Sequence, residues 1–425
     1  MRPGKEDLQR TSVNSIIKRL GPGLLFAGTA VGTSHLVQTT RGSADFGLIF
    51  ILPVLFICLI KYPAFQTAVE YAAKSGKNLL DGYARFGPWL LYLLLAAFLA
   101  EGIPAITGVS LVTAGILKNS TGITAADSTV TLVIIATCAM VLFVGKYRLF
   151  ERLGKLFVIL FSVLVLVTAI ISLSNFGEQS SPLAAPIPMD RNGLFFIVAM
   201  TGWMPTGMSG APMISAWICA RAAQRGGAVN RADAQFDFSV GYVGTAILAF
   251  GFVIIGTSVL FNNGIAVSGN SVGFSQQLTG LFVESFGSAM GPVVNALALI
   301  VMLSTVFGVV DGFARLLAGT SQRIIAPDDT HAAERYYSRF LLFEVAAAAL
   351  LIIFLMRSFL TFIDIATTTA FVTAPIIAIA NHKILFGGKG ADVGDASTAF
   401  YYWSIAGATI LTIASVAFLL FRFVL

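Results

Sequence analysis

The chain has 425 residues, of which 56% are hydrophobic and only 11% charged, with a mean hydropathy of +0.85. A soluble domain carries roughly 25% charged residues, so this composition excludes a water-soluble globular protein and fits one that faces lipid. The formal net charge of +6 reads as the Lys and Arg excess that membrane proteins gather on their cytoplasmic side; no nucleic-acid partner is expected.

Residues 1–21 are polar and charged, with no cleavable signal pattern, and read as a cytoplasmic tail. Eleven apolar stretches follow, at 22–40, 47–72, 88–116, 128–145, 153–174, 193–220, 237–261, 288–320, 340–356, 358–381 and 399–424. Each is long enough to cross a hydrocarbon core of roughly 30 Å as a helix. With the N-terminus inside and strict alternation, 22 of the 27 Lys and Arg residues fall inside; only Arg41, Lys118, Arg191, Arg357 and Arg422 fall outside. This asymmetry predicts an integral plasma (inner) membrane protein with a cytoplasmic N-terminus and an outside C-terminus. Residues 270–287 are too polar to span and predict an amphipathic helix lying on the outer membrane surface. Cys58, Cys138 and Cys219 lie in apolar or near-apolar surroundings, are odd in number, and read as packing residues.

Two spans are poor helices. Span 1 carries Gly32-Thr33-Ser34-His35 in its middle, and span 6 carries Met204-Pro205-Thr206-Gly207-Met208-Ser209-Gly210-Ala211-Pro212. Proline removes a backbone donor and clashes with the preceding turn. In hydrocarbon, freed backbone groups are tolerated only where protein or a watery cavity satisfies them. The two interrupted spans are the first members of two five-helix halves, 22–174 and 193–381, with an eleventh helix at 399–424. Matching breaks in two halves point to a midplane substrate site in a secondary transporter working by alternating access. Packing kinks are the alternative.

At these residues the chain resembles the Nramp family of proton-coupled divalent-metal transporters, which have the LeuT-type fold. Gly21-Pro22-Gly23 opens span 1 as the family's GPG does; Phe46-Gly47, Lys61-Tyr62-Pro63, Gly82-Tyr83, Leu99-Ala100-Glu101 and Met204-Pro205 match further family positions. The resemblance implies an all-α membrane protein with two inverted repeats and helices 1 and 6 broken at the midplane. The metal-binding DPGN of the family's first helix falls on Gly32, Thr33, Ser34 and His35, so the carboxylate is missing. The family's MPH becomes Met204-Pro205-Thr206, which keeps the Met and loses the His, and an acidic position three residues before Glu101 is Phe98.

These departures point to a rebuilt site. The expected substrate-binding residues are Gly32, Thr33, Ser34, His35, Gln38, Trp203, Met204, Thr206 and Gly207. Gly207 and Gly210 leave room, and Phe98 and Trp203 supply an apolar wall. Glu101, His35 and Asp364 are ionisable groups at membrane depth, where charge is costly and defaults to function, here proton coupling. Asp311 and Arg315, four residues apart, read as a structural pair, and Ser304 and Thr305 occupy a region where some LeuT-type transporters bind sodium. The expected substrate is a small organic solute, because a doubly charged ion with no anionic ligand at the bilayer centre is expensive. The alternative is a divalent metal cation with altered selectivity, held by His35 and Met204. Proton coupling is expected, with sodium as the alternative ion. No H-E-x-x-H, G-x-S-x-G or P-loop pattern occurs and no cofactor is expected; a non-transporting receptor or membrane enzyme remains the reading from another class.

Overall fold

The computed structural model describes residues 21–144, 147–174, 176, 191–227, 229–329, 331–355, 358–387 and 397–423. The expected cytoplasmic tail, apart from Gly21, lies outside the described residues, as do Lys146, Arg357 and Lys389. The described residues form helices and no strand: α1 (Pro22–Ala30), a π-helical turn Ser34–Thr39 leading into α2 (Thr40–Phe46), α3 (Ile51–Ser75), α4 (Leu79–Ala84), α5 (Pro88–Thr121), α6 (Asp127–Phe143) and α7 (Tyr147–Ser174). Then come α8 (Arg191–Trp203), α9 (Gly210–Arg225), α10 (Arg231–Gly256), α11 (Ser271–Phe286), α12 (Gly291–Ile325), α13 (Ala332–Leu355), α14 (Phe359–Phe386) and α15 (Thr398–Phe423). Every predicted span contains a helix or a broken pair. Among the described residues, eight helical stretches are long and apolar enough to cross a membrane, the first running from the outer half of span 1 through α3; α6 and α8 are shorter.

Local chemistry accounts for the punctuation. Pro22 and Pro88 stand at the first turns of α1 and α5, where a missing N–H costs nothing. Asn78, Asn230 and Asn270 cap α4, α10 and α11 with side-chain oxygens. Gly76 and Gly122 close α3 and α5 in the left-handed region, at φ 65° and 72°. Span 1 fails between Ala30 and Ser34, and span 6 between Trp203 and Gly210, at the Gly- and Pro-rich segments.

α5 and α12 form the most extensive helix pair and the middle of the bundle, with α14 against α5 and α8, and α10 against α1 and α3. Apolar side chains such as Leu52, Phe56, Met140, Ile170, Phe354 and Ile413 point outward, as a lipid-facing surface requires.

Two expectations change here, and a third gains a partner. The helix at 270–287 is present, but α11 buries Phe274, Leu278, Leu281 and Phe282 and packs chiefly on α5. Ser271 Oγ also donates to Asp127 Oδ2 at 3.0 Å, so α11 is tied into the protein rather than spread on lipid. Lys61, counted among the inside charges, is wholly buried within α3. Asp311 pairs with Arg315 at 2.7 Å as expected, and also accepts from the Tyr337 hydroxyl at 2.8 Å.

Beside that pair, α13 carries a carboxyl that composition alone does not flag. Glu344 is fully buried, and neither of its oxygens has a hydrogen-bond partner among the described residues. A buried polar group without a partner costs about 1–3 kcal/mol. Glu344→Met, which keeps the volume and removes the carboxyl, is therefore expected to raise the thermal midpoint of the detergent-solubilised protein by a few degrees. A lower midpoint would show that the carboxyl is held by a bound water or ion.

Candidate functional site

The two breaks meet across a cavity of about 50 Å³, several times the roughly 10–15 Å³ that one water occupies by this measure. Span 1, α5, the span 6 break, α9 and α12 wall it. α5 presents Glu101, Ala105 and Val109, one turn apart on one face. α12 presents Thr305, Val309 and Phe313 at the same spacing, and α9 presents Met213 and Trp217. The breaks contribute Thr33 and Ser34 from span 1 and Trp203, Thr206, Gly207 and Ser209 from span 6. The Thr33 hydroxyl is buried and has no partner among the described residues, which leaves a donor and acceptor for a guest.

Close approaches shape the cavity. A methyl on Gly32 would run into the Thr305 side chain, so glycine sets the distance between span 1 and α12. The Gly32 carbonyl accepts from Leu36 N at 2.9 Å and is not free for a guest. Ser34 Oγ lies 2.6 Å from Ala30 O and 3.2 Å from Pro205 O, which links the two breaks directly.

Among the described residues, Glu101 is the one charged side chain in the wall. It is 2% exposed, and its Oε1 accepts from Ser209 Oγ at 2.9 Å and from Trp203 Nε1 at 3.3 Å. A methyl on Gly207 would strike this same Oε1 and would stand 3.1 Å from Ser209 Oγ. Gly207→Ala is therefore expected to destabilise the protein by about 1–3 kcal/mol, the range for overpacking, and to shift Trp emission as Trp203 loses its acceptor. Gly244→Ala, where an added methyl meets nothing within 4 Å, is the control and should be neutral or stabilising. Equal midpoints for the two variants would refute the crowding.

On another side of the span 6 break stands Lys61, which sequence reasoning placed in a charge tally rather than in the site. Its Nζ donates to Thr201 O at 3.1 Å, Gly202 O at 3.1 Å and Thr206 O at 2.6 Å. The last turn of α8 has carbonyls with no intrahelical partner, and the lysine supplies three donors to them and to the unwound segment.

Thr33, Ser34, Trp203, Thr206, Gly207 and Glu101 thus gather on the cavity, whereas Gly32, His35, Gln38 and Met204 do not line it. His35 stands back from the cavity, with its ring among protein atoms. Nδ1 lies 2.8 Å from Ala30 O and 2.8 Å from Ser34 Oγ, and Nε2 lies 2.8 Å from Thr245 O. Both nitrogens lie at hydrogen-bond distance from protein atoms, so the ring braces span 1 against α10 and does not face the cavity. Met204 and Phe98 are buried but stand outside the cavity wall. Among the described residues, no three His, Cys, Asp or Glu side chains are grouped to hold a metal ion.

Asp364 sits elsewhere, with its side chain 41% exposed and bonded to Arg41 Nη1 at 2.7 Å. Arg41 also donates to Gln38 Oε1 at 3.1 Å and lies over the Phe196 ring at 5.0 Å. Arg41 and Asp364 line a second cavity, of about 660 Å³, with Phe195, Phe196, Thr368 and Arg422. Besides Lys61, sequence reasoning missed Ser209, Met213, Trp217, Phe313 and Arg41; the four-residue spacing of Met213 and Trp217 was the available signal.

No family model matches the chain. An uncharacterised protein of Pasteurella multocida is 27% identical over 387 residues, which is 90% of this chain and 88% of its own. A variant of the Eremococcus coleocola manganese transporter superposes with a TM-score of 0.67 at 13% identity, covering 95% of this chain and 86% of that one. The same transporter in complex with an aromatic bis-isothiourea compound gives 0.66 at 12% identity, over 98% and 87%. MhsT in complex with L-phenylalanine gives 0.62 at 17% identity, over 95% and 98%. Likeness at this level of identity establishes the fold. The chain has the LeuT-type fold of these manganese-transporter and MhsT structures and, with its long apolar helices, is an integral membrane protein.

Proposed function

We propose that this protein is a secondary active transporter for a small organic solute bearing a cationic or hydrogen-bond-donating group. It works by alternating access around the cavity between α1, α5, the span 6 break and α12. The observation that carries this reading is Glu101: a lone carboxylate in a wall otherwise made of Trp203, Trp217, Phe313, Met213 and hydroxyls. One negative charge among aromatic faces suits an organic cation, which gains from both the carboxylate and the rings. A divalent transition metal favours several carboxylate or imidazole ligands, and this wall offers one carboxylate among neutral hydroxyls and rings. The cavity's present volume admits only a few atoms, so a solute larger than an ion requires α1 or α9 to move outward, as alternating access entails.

Proton coupling fits the same residues, since Glu101 is buried, faces the cavity and has two neutral donors rather than a fixed cation as hydrogen-bond partners. The Arg41–Asp364 pair, joining α2 to α14, is placed to act as a latch on the second cavity. An N-terminus inside puts that latch on the outer face of an inner-membrane protein.

The likeness to a manganese transporter keeps a metal reading alive, with Met204 as its one retained ligand position. Calorimetry on the purified protein separates the two. Manganese should give no heat of binding, while a thermal-shift screen of small amines, amino acids and carboxylic acids should return an amine-bearing hit. Manganese heat that disappears in Met204→Ala would replace the organic solute with a metal. Confirmed hits then go into liposomes, where accumulation driven by a proton gradient is expected and uptake indifferent to both pH and sodium gradients would refute coupling.

A further inference from the structure

We propose that Lys61 is a resident cation: its ammonium fills a monovalent-cation site built from the main-chain carbonyls of Thr201, Gly202 and Thr206, and keeps ions from solution out of the span 6 break. The inference goes beyond the transport reading and holds whatever solute the cavity carries.

The oxygens come from two places. Thr201 and Gly202 lie in the last turn of α8, whose carbonyls have no helical partner and form the negative end of the helix dipole. Thr206 lies in the unwound segment beyond it. All three converge on one point, at 3.1, 3.1 and 2.6 Å from Nζ. Three acceptors around one centre match the three N–H bonds of an ammonium. The same oxygens, with nothing else present, would attract an alkali ion or a small alkylammonium.

Charge makes the arrangement unusual. Lys61 is wholly buried, and no carboxylate oxygen lies within salt-bridge distance of it among the described residues. Glu101 acts on it only at longer range, through its charge. The ammonium is therefore held by carbonyl dipoles, as a bound metal cation would be. A packing role would be served at lower cost by Leu or Met, because burying a charge is expensive and apolar replacements of similar volume are often neutral or better. The chain instead carries its own cation on a side chain that threads from α3 to the break. An ion that cannot dissociate holds Trp203 and Ser209 in position opposite Glu101 throughout the cycle, so no sodium ion is required at this point.

The test uses missing-group rescue. Lys61→Ala removes the equivalent of n-propylamine and leaves a void of that shape above the three carbonyls. Thermal unfolding of the full chain in detergent is followed by Trp fluorescence, with n-propylammonium chloride, choline chloride at equal ionic strength, or 1-propanol. The wild type should show the same midpoint in all three. Lys61→Ala should fall by roughly 5 °C or more, regain at least half of that loss in propylammonium, and regain little in choline or propanol. Rescue by propanol as large as by propylammonium would reduce the site to a packing void and overturn the proposal, as would no rescue by either. Should Lys61→Ala not purify as a folded protein, Lys61→Met decides: it fills the space without charge or donors, so a wild-type midpoint overturns the proposal and a clear loss that propylammonium cannot repair supports it.

Discussion

Asp237→Ala is expected to cost about 3–5 kcal/mol of stability, the range for removing one partner of a buried charged network. Asp237 is 2% exposed near the start of α10. Its Oδ1 accepts from Gly21 N and its Oδ2 from Gly23 N, both at 2.8 Å, and Arg221 Nη1 lies 3.8 Å from Oδ2. The carboxylate therefore caps the first turn of α1, where unpaired N–H groups and the positive end of the helix dipole favour an anion. Alanine would strand two buried N–H groups and take a carboxylate away from Arg221 at once. Asp237→Asn keeps one acceptor oxygen and should lose less. Thermal midpoints in detergent rank the three proteins; an alanine variant within about 1 kcal/mol of wild type would show that water caps α1 instead. The same contact explains the Gly-Pro-Gly at 21–23. Pro22 starts the helix, and a methyl on Gly23 would strike the Asp237 backbone. Gly23 lets α10 come close enough for one carboxylate to bind both amides, and Gly21 leaves room for the Arg221 guanidinium beside it.

That motif shows what a sequence can and cannot convey. Gly21-Pro22-Gly23 was legible as a helix start, and the partner 214 residues downstream of Gly23 was not. The breaks at 31–33 and 204–209 were legible because glycine and proline act on the backbone locally, wherever the chain goes next. Glu101 was legible because a lone acid in an apolar run carries its cost with it. His35 was legible as a buried imidazole but not as a brace. Which way a ring points depends on the carbonyl of Thr245, supplied by α10, and nothing near position 35 encodes it. Lys61 is the instructive miss. It stands 14 residues into a stretch read as 47–72, at a depth where the rule applied to Glu101 applies equally. In the tally of inside charges that signal does not show. The Arg41–Asp364 pair joins residues 323 positions apart, which only the fold brings together.

Glu101→Gln is expected to weaken the affinity for a cationic solute by roughly 30-fold or more while leaving the fold intact. Glutamine keeps an acceptor oxygen for Ser209 and Trp203, which lie 2.9 and 3.3 Å from the present carboxylate oxygen, so the cavity wall keeps its shape. What it loses is the charge. Truncating one partner of a buried, hydrogen-bonded charge pair costs about 2–5 kcal/mol, which is where the lower bound of 30-fold comes from. A neutral solute that only donates a hydrogen bond to Glu101 should lose far less, because the amide oxygen still accepts. The ratio of the two losses therefore reports the charge of the solute without a structure of the complex. Calorimetry with the amine hit and its nearest neutral analogue, on wild type and Glu101→Gln, measures it. Equal losses for both ligands would mean that the carboxyl is protonated when the solute binds, and Glu101 would then serve as a proton carrier and not as the counter-charge. No loss for either, with Glu101→Ala equally without effect on binding, would move the binding site away from α5 altogether. Lys61 sharpens the distinction, because the breaks are already held on one side by a fixed positive charge. A second cation entering beside it is tolerable only if Glu101 is ionised to receive it, so the carboxylate is the element on which recognition of a cationic solute turns.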